Sequence, residues 1–312
     1  MPDPTSITMD TRRPITAAVA RGMGFKPSAL RGKNFCTIFR GVYAHVQGRA
    51  HPLIRTRAAL MIHPPTAFAS HSSAARIHQV PLPALPDEHV SVFEAKDRRR
   101  RPGIRNHVAA PETPVVVVDG DRVSSPEQMF LELAGIVNLV ELVVVGDDLV
   151  RRKLTTPKRL RAYCAQSDHQ DAAAARLAAA YVRVGVDSPM ETRLRMLLVL
   201  AGLPEPEVDF RIFWSDGRVR YRFDLSYPLF KVIVEYDGRQ HRADLDQWDT
   251  DTERKDWFDH NGWMHVPVFS RGIYRRPDDT LRRVVDALRS RGCTTLPRDL
   301  SDDWRPFFPV RR

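Results

Sequence analysis

The C-terminal part of the chain is a succession of short segments, each with the hydrophobic period of one secondary-structure element. Apolar residues recur at helical spacing from Met190 to Ala201. They follow a capping sequence at 188–191 (SPME), with Ser at the cap, Pro at the first helical position and Glu at the third. Gly202 ends this predicted helix.

The segments that follow complete an α-β-β-β-α-β-α order. Strands are predicted at 208–214, 219–225, 231–237 and 265–269, and helices at 246–261 and 278–289. Asp216-Gly217 favours a tight turn between the first two strands. This order predicts an α/β (α+β) domain in which helices flank a small mixed sheet.

The rest of the chain contains more short elements. A helical pattern at 15–20, a second helix opened at Pro27 and an alternating segment at 39–46 suggest a small winged-helix module. Further helices are predicted at 56–62, 70–77, 138–152 and 171–184, with another opened by residues 124–127, and strands at 90–93, 104–108 and 114–118. We therefore expect three regions: a DNA-binding region at 1–120, a helical connection at 121–186 and the α/β domain at 187–312.

The charge balance narrows the class of partner. The chain has 48 Lys and Arg against 38 Asp and Glu, a net charge of +10, which favours an anionic partner such as nucleic acid. The strongest basic run, 96–101 (KDRRRR), has two interpretations. It is either a solvated loop or the phosphate-contacting tip of a hairpin.

The cysteine content and the hydropathy of the chain indicate the cellular compartment in which we expect the protein. Cys36, Cys164 and Cys293 form no CxxC pair, which argues against a disulfide scaffold or a structural zinc site. No apolar stretch approaches the length of a membrane span, and the N-terminus has no signal-peptide core. We expect a cytoplasmic, nucleoid-associated protein with no membrane partner.

One stretch, 232–241 (VIVEYDGRQH), places carboxylates at the end of a buried strand. Alternate strand residues share a face, so Lys231, Glu235 and Asp237 point one way. If the preceding strand is a neighbour, Asp224 lies beside Glu235 or Asp237. Clustered carboxylates at a half-buried sheet end are costly unless a cation binds them. The cation is either a divalent metal, Mg²⁺ or Mn²⁺, or one of the many Lys and Arg side chains.

Two nearby residues have equally open interpretations. Glu191 is explained by its position in the capping box, without any further function. His241 follows a glycine on a predicted loop, where a single histidine is more often inert than catalytic.

Five motifs in this region resemble those of one family. They are SPMETRLRMLLVLAG at 188–202, RFDLSYP at 222–228, VIVEYDGRQH at 232–241, WDTDTER at 248–254 and NGW at 261–263. In this order they resemble an uncharacterised endonuclease-like family related to very-short-patch repair endonucleases, within the PD-(D/E)XK nuclease superfamily. The resemblance covers about residues 187–288.

The resemblance implies a restriction-endonuclease-like fold and roles for individual residues. Asp224 takes the superfamily's first acidic position, Glu235 takes the second, and Glu191 supports the metal or its water. The superfamily's lysine position is Asp237 here. The resemblance therefore implies that either His241 or Lys231 transfers the proton, with Mg²⁺ or Mn²⁺ as cofactor.

A second resemblance covers about residues 12–150. Segments 39–43 (FRGVY), 70–75 (SHSSAA) and 124–126 (SSP) are similar to AbiEi-type antitoxin and repressor proteins. By charge, the expected DNA contacts are Arg31, Lys33, Arg40, Arg98, Arg99, Arg100 and Arg101 in this region, and Arg220, Arg222, Arg239, Arg242 and Arg254 in the α/β domain.

Two functions are consistent with these features. The first is a metal-dependent endonuclease that hydrolyses phosphodiester bonds in duplex DNA. The second is a non-catalytic, antitoxin-like DNA-binding regulator that retains the nuclease fold as a scaffold. Duplex DNA is the expected partner in either case, and the sequence leaves open whether a toxin-like or repair protein is a further partner.

Overall fold

The computed structural model of the protein describes residues 10–238 and 245–309, with the backbone alone at 245–252. Within these ranges the chain is a mixed α/β protein with antiparallel and mixed sheets. It divides into two compact units. Unit 1 comprises Met1–Ile136 and Gln166–Ala172, and unit 2 comprises Val137–Ala165 and Ala173–Arg312.

Unit 1 begins with a small antiparallel sheet in the order β1-β3-β2. Its elements are β1 (Ile15–Thr16), α1 (Ala17–Gly22), a 3-10 turn (Ala29–Arg31), β2 (Phe35–Phe39) and β3 (Val42–His45). Ile15, Ala20 and Leu30 form its small core. The expected order of two short helical segments and a β-hairpin is confirmed, although the second segment is a single turn of 3-10 helix because only residues 29–31 are helical.

A second sheet of unit 1 has the order β6-β5-β4-β8-β7. Its strands are β4 (Phe68–Ala69), β5 (Glu88–Val92), β6 (Ile104–Val108), β7 (Val115–Val118) and β8 (Asp121–Ser124), and its helices are α2 (Ile54–Ile62), α3 (His71–Ile77) and α4 (Pro126–Leu133). The β7–β8 hairpin spans the expected region boundary at residue 120. Val90 and Val92 of β5 and Ile104 of β6 belong to the hydrophobic core of this part of unit 1. Such β-branched residues are typical of buried strands.

The basic run at 96–101 lies in this sheet's β5–β6 connection. Because β5 and β6 are parallel, the connection is a crossover, and the expectation of a hairpin tip is wrong. Parallel neighbours cannot be joined by a tight turn. The four arginines of the run are nevertheless exposed.

Unit 2 contains seven helices among its described residues, arranged around one sheet. The helices are α5 (Leu139–Arg151), α6 (Pro157–Gln166), α7 (Ala172–Tyr181), α8 (Pro189–Leu200), α9 (Leu245–Asn261), α10 (Ser270–Tyr274) and α11 (Pro277–Ser290). The strands are β9 (Glu207–Phe213), β10 (Val219–Tyr227), β11 (Val232–Tyr236) and β12 (Met264–Val268). The predicted α-β-β-β-α-β-α order is confirmed, with the short helix α10 added before the last helix.

The sheet of unit 2 has the order β12-β11-β10-β9. Strands β9, β10 and β11 are antiparallel neighbours, whereas β12 returns parallel to β11 after the crossover helix α9. On one side of the sheet, Phe223, Ile233, Phe258 and Trp263 form an aromatic-rich core. This mixed sheet with flanking helices is the architecture expected for the α/β domain.

No helix in the described ranges is long and apolar enough to cross a membrane.

Candidate active site

Asp224 and Glu235 occupy neighbouring strands at the same level of the sheet. In the antiparallel pairing of β10 with β11, Leu225 lies opposite Val234. Asp224 and Glu235 are the next residues outward from that pair. Strand register, which is set by the apolar residues between 225 and 234, thereby brings the two predicted acidic residues near each other.

Asp224 is the most perturbed carboxyl group of this region. Its carboxylate accepts a hydrogen bond from the backbone N–H of Tyr236, but burial raises its pKa to about 7, and the charges of Glu191 and Glu235 add to that rise. Burial and like charge both disfavour the ionised form of a carboxyl group. The ionised Asp224 is therefore held at a cost that a bound cation would remove.

Glu191 has the position of a helix-capping residue and also lies near the carboxyl group of Asp224. It is the third helical residue of α8 and is only 8% exposed. Its N–H donates to Ser188 Oγ at 3.2 Å, which is one half of the predicted capping box. Its Oε2 accepts from the N–H of Asp187 at 2.9 Å, one residue before the cap, instead of from Ser188. Burial raises the pKa of Glu191. The negative charge of Glu191 in turn helps to raise the pKa of Asp224.

Glu235 has two cationic or hydrogen-bonding neighbours. Arg254 of α9 donates from Nη2 to Glu235 Oε1 at 2.5 Å, and His265 Nε2 of β12 lies 3.0 Å from Oε2. The interpretation that an arginine pairs with Glu235 therefore holds in this structure.

Sequence reasoning missed His265. Its position in β12 is what could have indicated a place in the site. Strand β12 pairs in parallel with β11 and sets His265 opposite Ile233, two residues before Glu235. A crossover after β11 was needed to place the two strands together. His265 was therefore detectable only from the topology.

The two predicted proton-transfer groups are placed differently. Lys231 precedes the strand with a left-handed backbone, φ 51°, and its Nζ donates to the carbonyl oxygen of Asn261 at 3.1 Å. The prediction that Lys231 shares a strand face with Glu235 is wrong, because β11 starts at Val232 and the left-handed turn reorients the preceding residue. His241 lies outside the described residues, as do Arg239 and Arg242.

Asp237 follows the last residue of β11. Its backbone N–H donates to the carbonyl oxygen of Val268 at 2.8 Å, and the residue is partly exposed. Asp237 therefore lies beyond the paired residues of β11, which hold Glu235 in place.

A groove of about 550 Å³ opens beside Glu235. Cationic side chains line it together with aromatic ones, and the lining includes Arg254, Lys255, Phe258, Trp263, His265 and Arg291. A negatively charged ligand in this groove would meet positive charge within reach of the Glu235 carboxylate.

The remaining predicted arginines of unit 2 have different surroundings. Arg222 pairs with Asp187 and Asp209, so its charge is used within the protein. Arg220 stacks on Trp214, with its guanidinium carbon 4.0 Å from the ring centroid. Trp214 is 48% exposed on the β9–β10 hairpin.

The predicted contacts of unit 1 lie on its surface. Arg31 ends the 3-10 turn, Lys33 follows it, and Arg40 lies in the β2–β3 turn. All three are exposed, as are Arg98, Arg99, Arg100 and Arg101.

The carboxylates fit a hard divalent cation by chemistry. Oxygen ligands are those that Mg²⁺ and Mn²⁺ prefer, and Asp224 carries the buried, mutually repelled charge that a cation relieves. Within the described ranges, the three-residue group whose ligand atoms all lie within 4.8 Å of one another consists of histidines in unit 1. The three carboxylates are more widely spread, with Glu235 directed at Arg254 and His265.

Comparisons with known proteins give a limited relation. No family model matches the chain. An uncharacterized protein of Mycobacterium tuberculosis, recorded for strain CDC 1551 / Oshkosh and for strain H37Rv, is 26% identical over 99 residues. The match covers 32% of this chain and 36% of the relative, so the chain spans about a third of the length of the curated relatives it matches.

Proposed function

We propose that unit 2 is a metal-dependent endonuclease that hydrolyses phosphodiester bonds in duplex DNA. The observation that carries the proposal is the position of Asp224, a partly buried carboxylate whose ionisation is opposed by burial and by both Glu191 and Glu235. Carboxyl groups perturbed by burial and by like charge are concentrated at functional sites, although structural networks also contain them. The resemblance of residues 187–288 to the PD-(D/E)XK nucleases supplies the reaction class.

Each residue of the site has a part in the proposed reaction. Asp224 and Glu235, supported by Glu191, would hold Mg²⁺ or Mn²⁺, which would supply polarisation of the scissile phosphate and a water molecule of lowered pKa. Arg254 lines the groove beside Glu235, where its charge attracts a phosphate of the DNA. Its neighbour Lys255 faces the same groove and adds charge that attracts the substrate backbone.

Proton transfer is assigned to His265. Its Nε2 is 3.0 Å from Glu235 Oε2, and its ring lines the groove. A positioned histidine near neutral pH is the commonest general acid or base. Lys231 is directed to Asn261 instead, which leaves His265 as the better placed group among the described residues.

Unit 1 supplies the DNA-binding part of the proposal. The exposed basic residues of the β5–β6 crossover and of the β2–β3 turn favour contact with phosphates rather than with bases. The short helices and hairpin of residues 15–45 support a winged-helix-like module of the AbiEi antitoxin type.

The second candidate function is a non-catalytic DNA-binding regulator. It is favoured by the Arg254–Glu235 contact, since an arginine and His265 neutralise Glu235 without any metal. In that case unit 2 is a scaffold, and binding to DNA is the whole activity.

Incubation with supercoiled plasmid and Mn²⁺ or Mg²⁺ separates the two functions. The endonuclease converts the plasmid to nicked or linear forms, and Asp224→Ala and Glu235→Ala lose this activity. Asp286→Ala is the matched control, because Asp286 is an exposed acidic residue of α11 with one weak contact at 3.9 Å. Nicking that persists in both site variants would contradict the assignment of Asp224 and Glu235 to the active site. Salt-sensitive DNA binding without nicking would favour the regulator.

A further inference from the structure

Three histidines of unit 1 meet at one point, although they come from separate elements. His71 is the first residue of α3, His89 belongs to β5, and His107 belongs to β6. One ring nitrogen of each lies within 4.8 Å of those of the other two. We refer to them as the histidine cluster. The proposed nuclease function makes no use of them.

The cluster has distances suited to one small cation. His89 Nδ1 lies 3.0 Å from His107 Nε2. Two imidazole nitrogens that share a tetrahedral zinc ion, each at a bond length of about 2.0–2.1 Å, are separated by roughly 3.3 Å. The rings of His71 and His107 stack with centroids 3.9 Å apart, which places the third ring against this pair.

The protonation state of the cluster suits a ligand role. Burial lowers the pKa of His71 to about 2 and that of His89 to about 4, and the neighbouring histidines lower both further. Burial also lowers the pKa of His107. Neutral imidazole is the form that binds metal ions, and burial favours that form in all three rings.

A buried carboxylate supports one of the histidines. Glu132 Oε2 accepts a hydrogen bond from the His71 backbone N–H at 2.8 Å and lies 3.8 Å from His71 Nδ1. Ser124 and Gln128 donate to the same carboxylate. Glu132 thus holds the His71 backbone, while the ring nitrogen Nδ1 lies 3.0 Å from Ser70 Oγ. A hydrogen-bond partner on the second ring nitrogen commonly fixes the orientation of a metal-binding histidine.

The backbone of His71 is held in an unusual conformation. Its φ is 49°, a left-handed value that non-glycine residues seldom adopt. The hydrogen bond from its N–H to Glu132 stabilises this conformation, and its ring lies beside that of His89 with a centroid distance of 5.0 Å. Local strain of this kind is concentrated at functional sites.

We propose that His71, His89 and His107 bind one Zn²⁺ ion in unit 1, with a fourth position left for water or another ligand. Three neutral nitrogen ligands favour zinc over Mg²⁺. His169 is near enough to act electrostatically on His71 and His107, and it is the nearest histidine outside the cluster with such an effect.

The test is a titration of the full-length, metal-free protein with Co²⁺ and then Zn²⁺, in excess Mg²⁺ to occupy carboxylate sites. We expect one equivalent of Co²⁺ to give the intense visible bands of a four-coordinate site and Zn²⁺ to displace it. His89→Gln and His107→Gln should each weaken binding on the order of 100-fold. His260→Gln is the matched control, because His260 is an exposed histidine of α9.

Circular dichroism of each variant distinguishes the loss of a ligand from the loss of the fold. Weak binding by the wild-type protein, equal to that of His89→Gln, would mean that the cluster is a stacked, hydrogen-bonded group without metal. Equal weakening in His260→Gln would overturn the assignment to these three residues. If the cluster variants unfold, the wild-type titration decides, because one tight Co²⁺ equivalent with histidine-type bands supports the site and its absence overturns it. None of these results depends on nuclease activity.

Discussion

Arg254 and Glu235 form a 2.5 Å charge-assisted hydrogen bond between α9 and β11. The contact uses one oxygen of the carboxylate that we assign to metal binding. A cation at this position must therefore compete with the guanidinium group, and that competition can be measured.

Removing the Arg254 charge should make metal binding tighter. We expect Arg254→Gln to raise the affinity for Mn²⁺ on the order of 10-fold, equivalent to about 1.4 kcal/mol, because Glu235 is freed and a like charge is removed from the metal. Isothermal titration calorimetry at constant ionic strength measures the effect. Lys255→Gln removes a charge from the same groove without a contact to Glu235 and should change the affinity far less. Equal affinities in all three proteins would show that Arg254 and the metal do not compete.

Asp224 should destabilise the metal-free protein at high pH. Its pKa is about 7 in the folded state and about 3.9 in an unfolded chain, so the folded protein loses stability as pH rises between these values. The loss is complete above pH 7 and absent below pH 4. We expect Asp224→Asn, which keeps an acceptor for the Tyr236 N–H, to be more stable than the wild type by roughly 1–3 kcal/mol at pH 8.

Urea unfolding followed by tryptophan fluorescence in EDTA measures this difference. All five tryptophans lie in unit 2, so the signal reports on the unit that holds Asp224. The stability difference should shrink towards zero at pH 4. A variant that is less stable than the wild type at pH 8 would contradict the strained position of Asp224.

The buried pair of Asp147 and Arg195 should be essential for unit 2. Arg195 is fully buried and its Nη2 donates to Asp147 Oδ2 at 2.9 Å; the same oxygen accepts from Thr192 Oγ1 at 2.9 Å. We expect Asp147→Ala to cost about 3 kcal/mol, because the buried Arg195 charge then keeps only its 3.3 Å contact to Glu205. Thr192→Val, which removes one hydroxyl hydrogen bond to the same carboxylate, should cost about 1.5 kcal/mol. Similar losses of stability in the two variants, measured by urea unfolding, would show that the ion pair contributes no more to stability than the Thr192 hydrogen bond.

The basic β5–β6 crossover should contribute to DNA affinity through salt-dependent contacts. We expect the double variant Arg98→Gln/Arg100→Gln to lower the slope of log K against log salt by about 2, because each phosphate that the protein no longer neutralises reduces the slope by nearly one unit. Fluorescence anisotropy with a labelled duplex at several salt concentrations gives the slope. The double variant Arg275→Gln/Arg276→Gln removes two exposed charges after α10 and serves as control. An equal slope change in both would mean that only net charge matters.

Much of the fold follows from local sequence. Capping residues and apolar periodicity place α8 from Ser188 to the glycine at 202, and alternation places the four strands of unit 2 within about two residues. Elements without such signals were missed, including α6 and the short strand β4. The direction of β6 was also out of reach, since a parallel or antiparallel pairing depends on contacts far apart in the chain.

The site was only partly visible in the sequence. Strand spacing and the endonuclease resemblance brought Asp224, Glu235 and Glu191 together correctly as a neighbourhood. His265 and the Arg254 contact depend on the α9 crossover, and Lys231 was misplaced because its left-handed backbone has no sequence signature. The histidine cluster was missed altogether, because consecutive members of His71, His89 and His107 are 18 residues apart. They meet only through the β5–β6 pairing and the packing of α3 against β5.

Single-turnover cleavage of a labelled duplex tests the proposed function most directly. With Mn²⁺ and protein in excess over DNA, the wild-type protein should cleave the duplex. Asp224→Asn should cleave it slower by on the order of 100-fold or more, while binding the duplex as tightly. Asp286→Asn should match the wild type in both respects. Cleavage by Asp224→Asn at the wild-type rate, or tight binding by the wild-type protein with no cleavage, would contradict a metal-dependent endonuclease centred on Asp224.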